Sequence, residues 1–205
     1  MTAIASPVPT TDSPREPRRF TGDELERMVE IGIIGREERV ELIDGEIVCM
    51  AAMGPEHAGT TALLSNHFFE EYRGKAHVRT QSALRLSIRS QPEPDVAVVL
   101  MRPDSYRSRH PGPADAILVV EVAVTSLDAD LNDKVPMYAR AGIPETWVVA
   151  LPTGVLHRFT DVLRGVYRVH EELRPGDDIP LPGLPYRFLS VGEILGAPPP
   201  AETEE

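Results

Sequence analysis

The sequence predicts one α/β or α+β domain in which helices flank a mixed central β-sheet. Two observations support this fold class. Local patterns follow in the order hairpin, long helix, several strands, second helix and further strands, which is typical of a sheet covered by helices. The 205 residues also suffice for one domain with a sizeable core. We predict this domain over residues 18–196, with disordered tails over residues 1–17 and 197–205, whose compositions are rich in Pro, Thr, Ser or Glu.

The N-terminal third of the chain carries signals for two helices and a hairpin. Thr21 and Glu24 have the spacing of a capping box, so a short helix is expected to begin there. Residues 40–48 alternate apolar and polar side chains around an Asp-Gly pair, which is the pattern of a hairpin. Over residues 55–72 the apolar side chains recur at intervals of three and four, which predicts an amphipathic helix.

The rest of the chain is predicted to form strands and one further helix. Residues 78–88 alternate apolar and polar side chains and are predicted to form a strand. A second helix passes through Lys134 and ends at Gly142, while Pro136 must either lie near its first turn or kink it. Runs rich in apolar residues predict the remaining strands at residues 95–101, 116–124, 145–151, 155–160 and 166–172.

Two carboxylates stand at or inside apolar strands, where an ionised side chain is costly. Asp95 precedes the first of these runs and Glu121 interrupts the second. Burying an ionised carboxylate destabilises a protein unless the group is paired or binds a metal. If the two strands are neighbours, the carboxylates can meet, and with a backbone carbonyl and waters they suit Mg²⁺ better than zinc. We therefore predict a magnesium site at Asp95 and Glu121.

Lys134 is the third candidate for the site. The chain contains two lysines and otherwise uses arginine for its basic side chains, which suggests that an ammonium is required at this position. Beside a metal, an ammonium can orient or help to deprotonate an attacking water and stabilise charge on phosphorus. The alternative is that Lys134 only pairs with Asp130, four residues earlier on the same helix.

Composition excludes several other classes of protein. The single cysteine, Cys49, excludes an intramolecular disulfide and a cysteine-based zinc cluster. Neither a membrane-spanning apolar run nor a signal-peptide pattern is recognisable, so we expect a soluble, cytoplasmic protein that does not bind membranes. The net charge of −11 argues mildly against nucleic acid as a partner. Arginines nevertheless cluster between residues 79 and 109, so a local basic rim is an alternative to a merely solvated surface.

Asp95, Glu121 and Lys134 resemble the active-site pattern of the PD-(D/E)XK nuclease superfamily. A wider set of motifs resembles the Uma-type restriction endonuclease family over about residues 18–195. These motifs are Glu41-Leu42-Ile43-Asp44-Gly45-Glu46, Gly54-Pro55-Glu56-His57, Pro92-Glu93-Pro94-Asp95, Val119-Val120-Glu121-Val122, Asp133 to Glu145 and Trp147.

The resemblance implies a restriction-endonuclease-like core that hydrolyses phosphodiester bonds of DNA, with Asp95 and Glu121 holding Mg²⁺, or alternatively Mn²⁺. A homodimer is also expected from the resemblance, because restriction-type nucleases often pair to cut two strands. One feature departs from the superfamily pattern. The lysine expected two residues after the strand glutamate is replaced by Ala123, so Lys134 must supply the ammonium from the following helix.

Three further residues are weaker candidates. By the family match, Glu41 is a further acidic ligand, with a solvated strand residue as the alternative. His57 can contact a phosphate or the attacking water, and Gln81 can contact the metal-bound water or the substrate. For His57 the alternative is a structural role at a helix start, and for Gln81 it is a polar surface residue.

Two other functions are compatible with the sequence. The acidic net charge and the displaced lysine also fit a nuclease-fold binding or regulatory module that has weak turnover or none. The same acidic charge would suit a hydrolase that acts on a small phosphorylated molecule rather than on duplex DNA.

Overall fold

A capped helix, a hairpin and a long helix form the N-terminal part of the structure, a computed structural model that describes residues 17–35 and 37–196. The predicted tails, residues 1–17 and 197–205, lie outside the described residues except for Pro17. The capping box of Thr21 and Glu24 is confirmed, because each side chain bonds to the backbone N–H of the other. The elements are α1 (Gly22–Glu30), β1 (Val40–Ile43), β2 (Glu46–Cys49) and α2 (Pro55–Glu71).

A six-stranded mixed sheet forms the centre of the fold. Its strands are β3 (Ala76–Thr80), β4 (Val96–Leu100), β5 (Ala116–Ala123), β6 (Thr146–Ala150), β7 (Val155–Leu163) and β8 (Val166–Leu173). They lie in chain order across the sheet, and every neighbouring pair is antiparallel except the parallel pair of β5 and β6. The predicted fold class, a mixed central sheet flanked by helices with an N-terminal hairpin, is therefore confirmed.

The two faces of the sheet are covered by different parts of the chain. On one face, Phe68 of α2 packs against Trp147 of β6 in the largest apolar cluster, with ring centroids 5.8 Å apart. On the other face, Met137 and Tyr138 pack against Val119 of β5 in a second cluster. Side chains alternate between the faces along each strand, so residues two apart share a face. The second face, which carries Val119, also carries Glu121.

The helix that carries Lys134 contains a π-helical turn. The N–H of Val135 bonds to the carbonyl of Asp130, five residues earlier. Pro136 follows at the start of a new α-helical segment, where its missing N–H is tolerated, and Gly142 ends that segment in a left-handed conformation. The consecutive segments are α3 (Leu127–Ala129), the π-helical turn (Asp130–Lys134) and α4 (Val135–Ala141).

The strand predicted over residues 78–88 is wrong beyond Thr80. Gln81 has a φ of +45°, a left-handed conformation that ends the extended backbone. Leu84 and Leu86 are buried, as their alternation suggested, but they lie in an irregular loop rather than in the sheet. Their pattern reflects packing of this loop against the same cluster as Met137 of α4.

Short C-terminal elements complete the core on the α2 face. They are β9 (Asp178–Pro180), β10 (Phe188–Ser190) and α5 (Val191–Leu195). Ile179, Leu189 and Ile194 are buried in the same cluster as Phe68. Over the described part of the chain, no helix has both the length and the apolar character that crossing a bilayer requires.

The hairpin turn predicts a specific effect of removing a glycine. Gly45 has a φ of +85°, and a Cβ at this position would lie 2.7 Å from the Cβ of Arg19. We expect Gly45→Ala to lower the free energy of unfolding by about 1–3 kcal/mol, measured by urea denaturation. Gly59 of α2, where a Cβ would meet no atom within 4 Å, is the control. Gly59→Ala should instead raise stability by about 0.5–1 kcal/mol, and equal effects of the two changes would contradict this account.

Candidate active site

Asp95 and Glu121 lie opposite each other on neighbouring strands. Val96 of β4 pairs with Val120 of β5, and this register continued by one residue places Asp95 opposite Glu121. Cross-strand partners share a face, so both carboxylates lie on the face that α4 covers. Both residues are buried, with 6% and 2% of their surface exposed. The structure thus brings the two predicted carboxylates together.

The ammonium of Lys134 lies among buried carboxylates. Its Nζ is 3.2 Å from Oε1 of Glu41 and 3.3 Å from Oε1 of Glu121. The predicted helical partner, Asp130, is farther away, with its Oδ1 at 3.9 Å. Glu41 is itself buried and accepts a hydrogen bond from the backbone N–H of Glu93. Glu41 is therefore not a solvated strand residue, because it ties the hairpin to the central sheet through Lys134.

His57 and Gln81 both contact the carboxylate of Asp95. Nε2 of His57 is 3.1 Å from Oδ2 of Asp95, and the same oxygen accepts a hydrogen bond of 2.8 Å from the backbone N–H of Val122. The side-chain amide of Gln81 donates to the other oxygen, Oδ1, at 3.3 Å. All six candidate residues chosen from the sequence therefore lie in one cluster.

Two members of this cluster were not among the predicted site residues. Tyr138 donates a hydrogen bond of 2.6 Å from its hydroxyl to Oε1 of Glu121. Asp130 is buried and accepts a hydrogen bond from the hydroxyl of Ser126 at 2.6 Å. A usable signal existed in the sequence, because both residues are four positions from Lys134 and so share its helix face.

Burial and charge set the protonation states in the cluster. Burial raises the pKa of Glu121 well above its usual value, although the charge of Lys134 opposes this shift. Burial alone would lower the pKa of Lys134, but the carboxylates of Glu121 and Glu41 outweigh it and raise that pKa above the ordinary lysine value. For Asp95, burial is outweighed by hydrogen bonds from His57 and a backbone N–H, so its pKa is lowered. At neutral pH, Lys134 is a cation and Asp95 an anion.

The cluster lines a cavity of about 660 Å³ that we call the acidic pocket. The chain that follows β2 and leads into α2 forms one wall, and β5 and the helix through Lys134 form the other. Its charged and polar lining includes Glu41, His57, Asp95, Glu121, Asp130 and Lys134. The candidate residues therefore share a cavity that is large enough to admit part of a substrate.

The donor atoms of the acidic pocket fit a hard divalent cation, although they are not assembled as a ligand set. Asp95 and Glu121 present carboxylate oxygens, the ligands that Mg²⁺ prefers. Within residues 17–35 and 37–196, however, no three His, Cys, Asp or Glu residues of this pocket bring one ligand atom each within 4.8 Å of one another. The group that meets this criterion is His157, His170 and Glu172 on β7 and β8, a donor set more typical of zinc.

Comparison with family models identifies the family of the chain, and comparison with solved structures identifies a shared fold. A family model described as "Uma2: Putative restriction endonuclease" matches residues 23–192. The chain belongs to this family. A solved structure, that of "a putative nuclease belonging to DUF820" from Anabaena variabilis, is similar to this Uma2 protein with a TM-score of 0.69 at 12% sequence identity. The similarity covers 86% of this chain and 97% of that chain, and it shows a shared fold. None of the curated proteins compared with the chain matches it.

The structure explains why this Uma2 protein has no lysine two residues after Glu121. That position is Ala123, which is completely buried and packs with Val135 and Val148. A lysine there would place its stem and charge in an apolar cluster, at a cost in desolvation. Lys134 reaches Glu121 instead from the π-helical turn, which is the position that the sequence predicted for the ammonium.

Removing the ammonium should destabilise the fold. In Lys134→Met, Glu121 and Glu41 lose their cationic partner, so we expect the free energy of unfolding to fall by about 3–5 kcal/mol near neutral pH. Without the ammonium, the pKa of Glu121 would rise further above its value in the unfolded chain. The loss should therefore be largest at high pH and should shrink below about pH 4.3, where the carboxyl is protonated in both states.

The other lysine of the chain provides the matched control. Lys75 is exposed and donates from its Nζ to the carbonyl of Glu71. We expect Lys75→Met to change stability by less than about 0.5 kcal/mol in urea denaturation at pH 4 and pH 8. A Lys134→Met protein as stable as the Lys75→Met protein at pH 8 would contradict a structural role for the buried ammonium.

Proposed function

We propose that this Uma2 protein is a metal-dependent endonuclease that hydrolyses phosphodiester bonds of DNA in the acidic pocket. The observation that carries the proposal is the position of Lys134, whose Nζ lies 3.3 Å from Glu121 in a cavity that Asp95 also lines. A buried ammonium in a cavity that two carboxylates line suits phosphoryl chemistry, because it combines oxygen ligands for a cation with a fixed positive charge. Membership of the family described as a restriction endonuclease supports the same reaction.

Asp95 and Glu121 are the residues that would hold Mg²⁺, with Mn²⁺ as an alternative. When bound, the ion supplies positive charge that polarises the phosphoryl group and favours ionisation of a water. Asp95 is prepared for this role because its pKa is lowered by His57 and a backbone N–H despite its burial. Glu121 is held by the hydroxyl of Tyr138, which donates to Oε1 and so fixes the orientation of the carboxylate.

Lys134 is assigned to charge stabilisation and orientation rather than to proton abstraction. Its pKa is raised, so the ammonium keeps its proton at neutral pH and cannot serve as a base there. It can donate hydrogen bonds to a phosphoryl oxygen or to an attacking water. His57 and Gln81 act by positioning Asp95, the carboxylate that both of them contact.

The proposal includes DNA as the substrate and a homodimer as the active form. A symmetric pair of chains supplies two active sites, one for each of the two antiparallel strands. Light scattering of the purified protein would test the dimer independently of cleavage, with a monomer at assay concentration as the contrary result.

Cleavage of supercoiled plasmid with Mg²⁺ or Mn²⁺ tests the catalytic assignment. We expect Asp95→Asn and Lys134→Gln to lower the rate at least about 100-fold, because the first removes a metal ligand and the second removes the positive charge that stabilises the reacting phosphate. Asp133→Asn is the matched control, since Asp133 is an exposed carboxylate on the π-helical turn and should leave the rate unchanged. Folding of each variant is checked by circular dichroism. Wild-type rates in a folded Asp95→Asn protein would rule out the assignment.

Metal binding can be measured without any cleavage. At a Mg²⁺ concentration of about 100 times its Kd, the wild-type protein should gain about 2.7 kcal/mol in unfolding free energy, seen as a rise in Tm. Asp95→Asn and Glu121→Gln should lose this rise, and Asp133→Asn should keep it. No response of the wild-type protein to Mg²⁺ or Mn²⁺, together with no cleavage, would favour a nuclease-fold binding module. Hydrolysis of small phosphoesters but not of DNA would favour a small-molecule hydrolase.

A further inference from the structure

A second cavity, of about 560 Å³, is lined mainly by basic side chains. We call it the arginine pocket. It lies where the edge strand β3 meets α1 and the loop between β4 and β5. Its charged lining consists of Arg79, Arg85, Arg107, Arg109 and His110, with Glu26 as the one carboxylate among the described lining residues. The chain has a net charge of −11, so this concentration of arginine makes the pocket a basic region on an acidic protein.

Two of the four arginines are already neutralised by neighbouring carboxylates. Arg85 pairs with Asp23 and Glu26, with its Nη1 and Nη2 atoms each 2.5 Å from a carboxylate oxygen. Arg109 pairs with Asp115 through hydrogen bonds of 2.7 and 3.0 Å. These contacts fix the walls of the pocket, so the charge available to a ligand must come from the other two arginines.

Arg79 and Arg107 are those two arginines. In the part of the chain that the structure describes, neither guanidinium lies within 4.0 Å of a carboxylate oxygen. The Nε of Arg79 is also buried and has no hydrogen-bond acceptor among the described residues. A buried donor without an acceptor costs free energy, and an anion in the pocket would remove that cost. Arginine is the side chain best suited to bind a phosphate through two parallel hydrogen bonds.

The loop geometry directs Arg107 and Arg109 into the pocket. Ser105 and Tyr106 both have left-handed backbones, with φ of 52° and 60°. The ring of Tyr106 is held beneath the guanidinium of Arg109, which lies 5.4 Å from the ring centroid, and its hydroxyl donates to the carbonyl of Leu100. This strained turn is therefore anchored to the end of β4, and it holds Arg109 over the Tyr106 ring without a ligand.

The arginine pocket and the acidic pocket share one face of the sheet. Arg79 pairs with Ala97 in the β3–β4 register, and the N–H of Gln81 bonds to the carbonyl of Asp95. The same register places Gln81 opposite Asp95, and Arg79 lies two residues before Gln81. Residues two apart on a strand share a face, so Arg79 and Asp95 lie on the same face of the sheet. With strands about 4.8 Å apart and a rise of about 3.3 Å per residue, the Cα atoms of Arg79 and Asp95 are roughly 8 Å apart. A polyanion with charges spaced a few ångströms apart can therefore reach both pockets.

We propose that the arginine pocket is a second anion site, which binds a backbone phosphate of the DNA a few nucleotides from the phosphate held in the acidic pocket. This inference rests on the proposed function, because it assigns the pocket to the same substrate. Arg79 and Arg107 are the binding residues, and Arg85 and Arg109, which pair with carboxylates, form part of the pocket wall. The pocket supplies affinity without base recognition, since a guanidinium on a phosphate contacts no base edge.

Binding of a fluorescent duplex in EDTA, where no cleavage occurs, tests the inference by anisotropy. We expect Arg79→Gln and Arg107→Gln each to weaken binding on the order of tenfold at low salt, and to reduce the slope of log affinity against log salt by about 1. Arg73→Gln removes the same charge from an exposed arginine just after α2, whose helix packs on the other face, and should change neither quantity. Because neither guanidinium has a carboxylate partner among the described residues, both variants should retain the wild-type Tm.

Three outcomes separate this inference from the proposed function. Wild-type binding that is unaffected by Arg79→Gln and Arg107→Gln would overturn the arginine pocket and leave the endonuclease proposal standing. In a second outcome, inorganic phosphate stabilises the wild-type protein but neither variant, while both variants bind DNA as the wild type does. That result would assign the pocket to a free anion and overturn the DNA site. Absence of DNA binding by the wild-type protein would overturn both proposals. An unchanged Mg²⁺-dependent rise in Tm in the arginine variants would show that the acidic pocket is intact.

Discussion

The buried ammonium of Lys134 is the interaction on which the arrangement of the site depends. It lies within 4 Å of carboxylates from three separate parts of the chain: Glu41 on the hairpin, Glu121 on the central strand β5, and Asp130 on the π-helical turn. Three buried carboxylates without a cation would repel one another and take up protons. With the cation present, the same charges fix the hairpin and the helix against the sheet. The contact thus determines both the shape of the acidic pocket and its electrostatics.

The π-helical turn makes this contact compatible with the rest of the helix. Pro136 has no N–H, so a regular helix would leave one carbonyl of the preceding turn without its usual donor. The wider turn over Asp130–Lys134 occurs just before the proline and lets a new α-helical segment begin. Insertions of this kind are frequent at functional sites because they reorient side chains locally. Here the turn carries Lys134 and Asp130, while Ala123 keeps the neighbouring strand position apolar.

Local features of the fold were predictable, and long-range contacts were not. The capping box, the Asp-Gly hairpin and the long helix α2 each depend on residues close in sequence, and the structure has all of them. The strand predicted over residues 78–88 failed because alternation reports burial, and the loop around Leu84 is buried without being extended into the sheet. For the site, two carboxylates in apolar runs sufficed to select Asp95 and Glu121. The burial of Glu41 was not predictable, since its partner Lys134 is 93 residues away.

The net charge of the chain is a poor guide to its partners because charge is unevenly distributed in space. Glu41, Glu121 and Asp130 all count towards the value of −11, yet they are buried and face the ammonium of Lys134 rather than the solvent. The arginine pocket on the same face of the sheet has two guanidinium groups without a carboxylate partner among the described residues. An approaching polyanion responds to the local potential within about 10 Å at moderate ionic strength, not to the total charge. The acidity that argued against nucleic acid therefore reflects, in part, buried carboxylates that face Lys134 and add little to the charge on the surface.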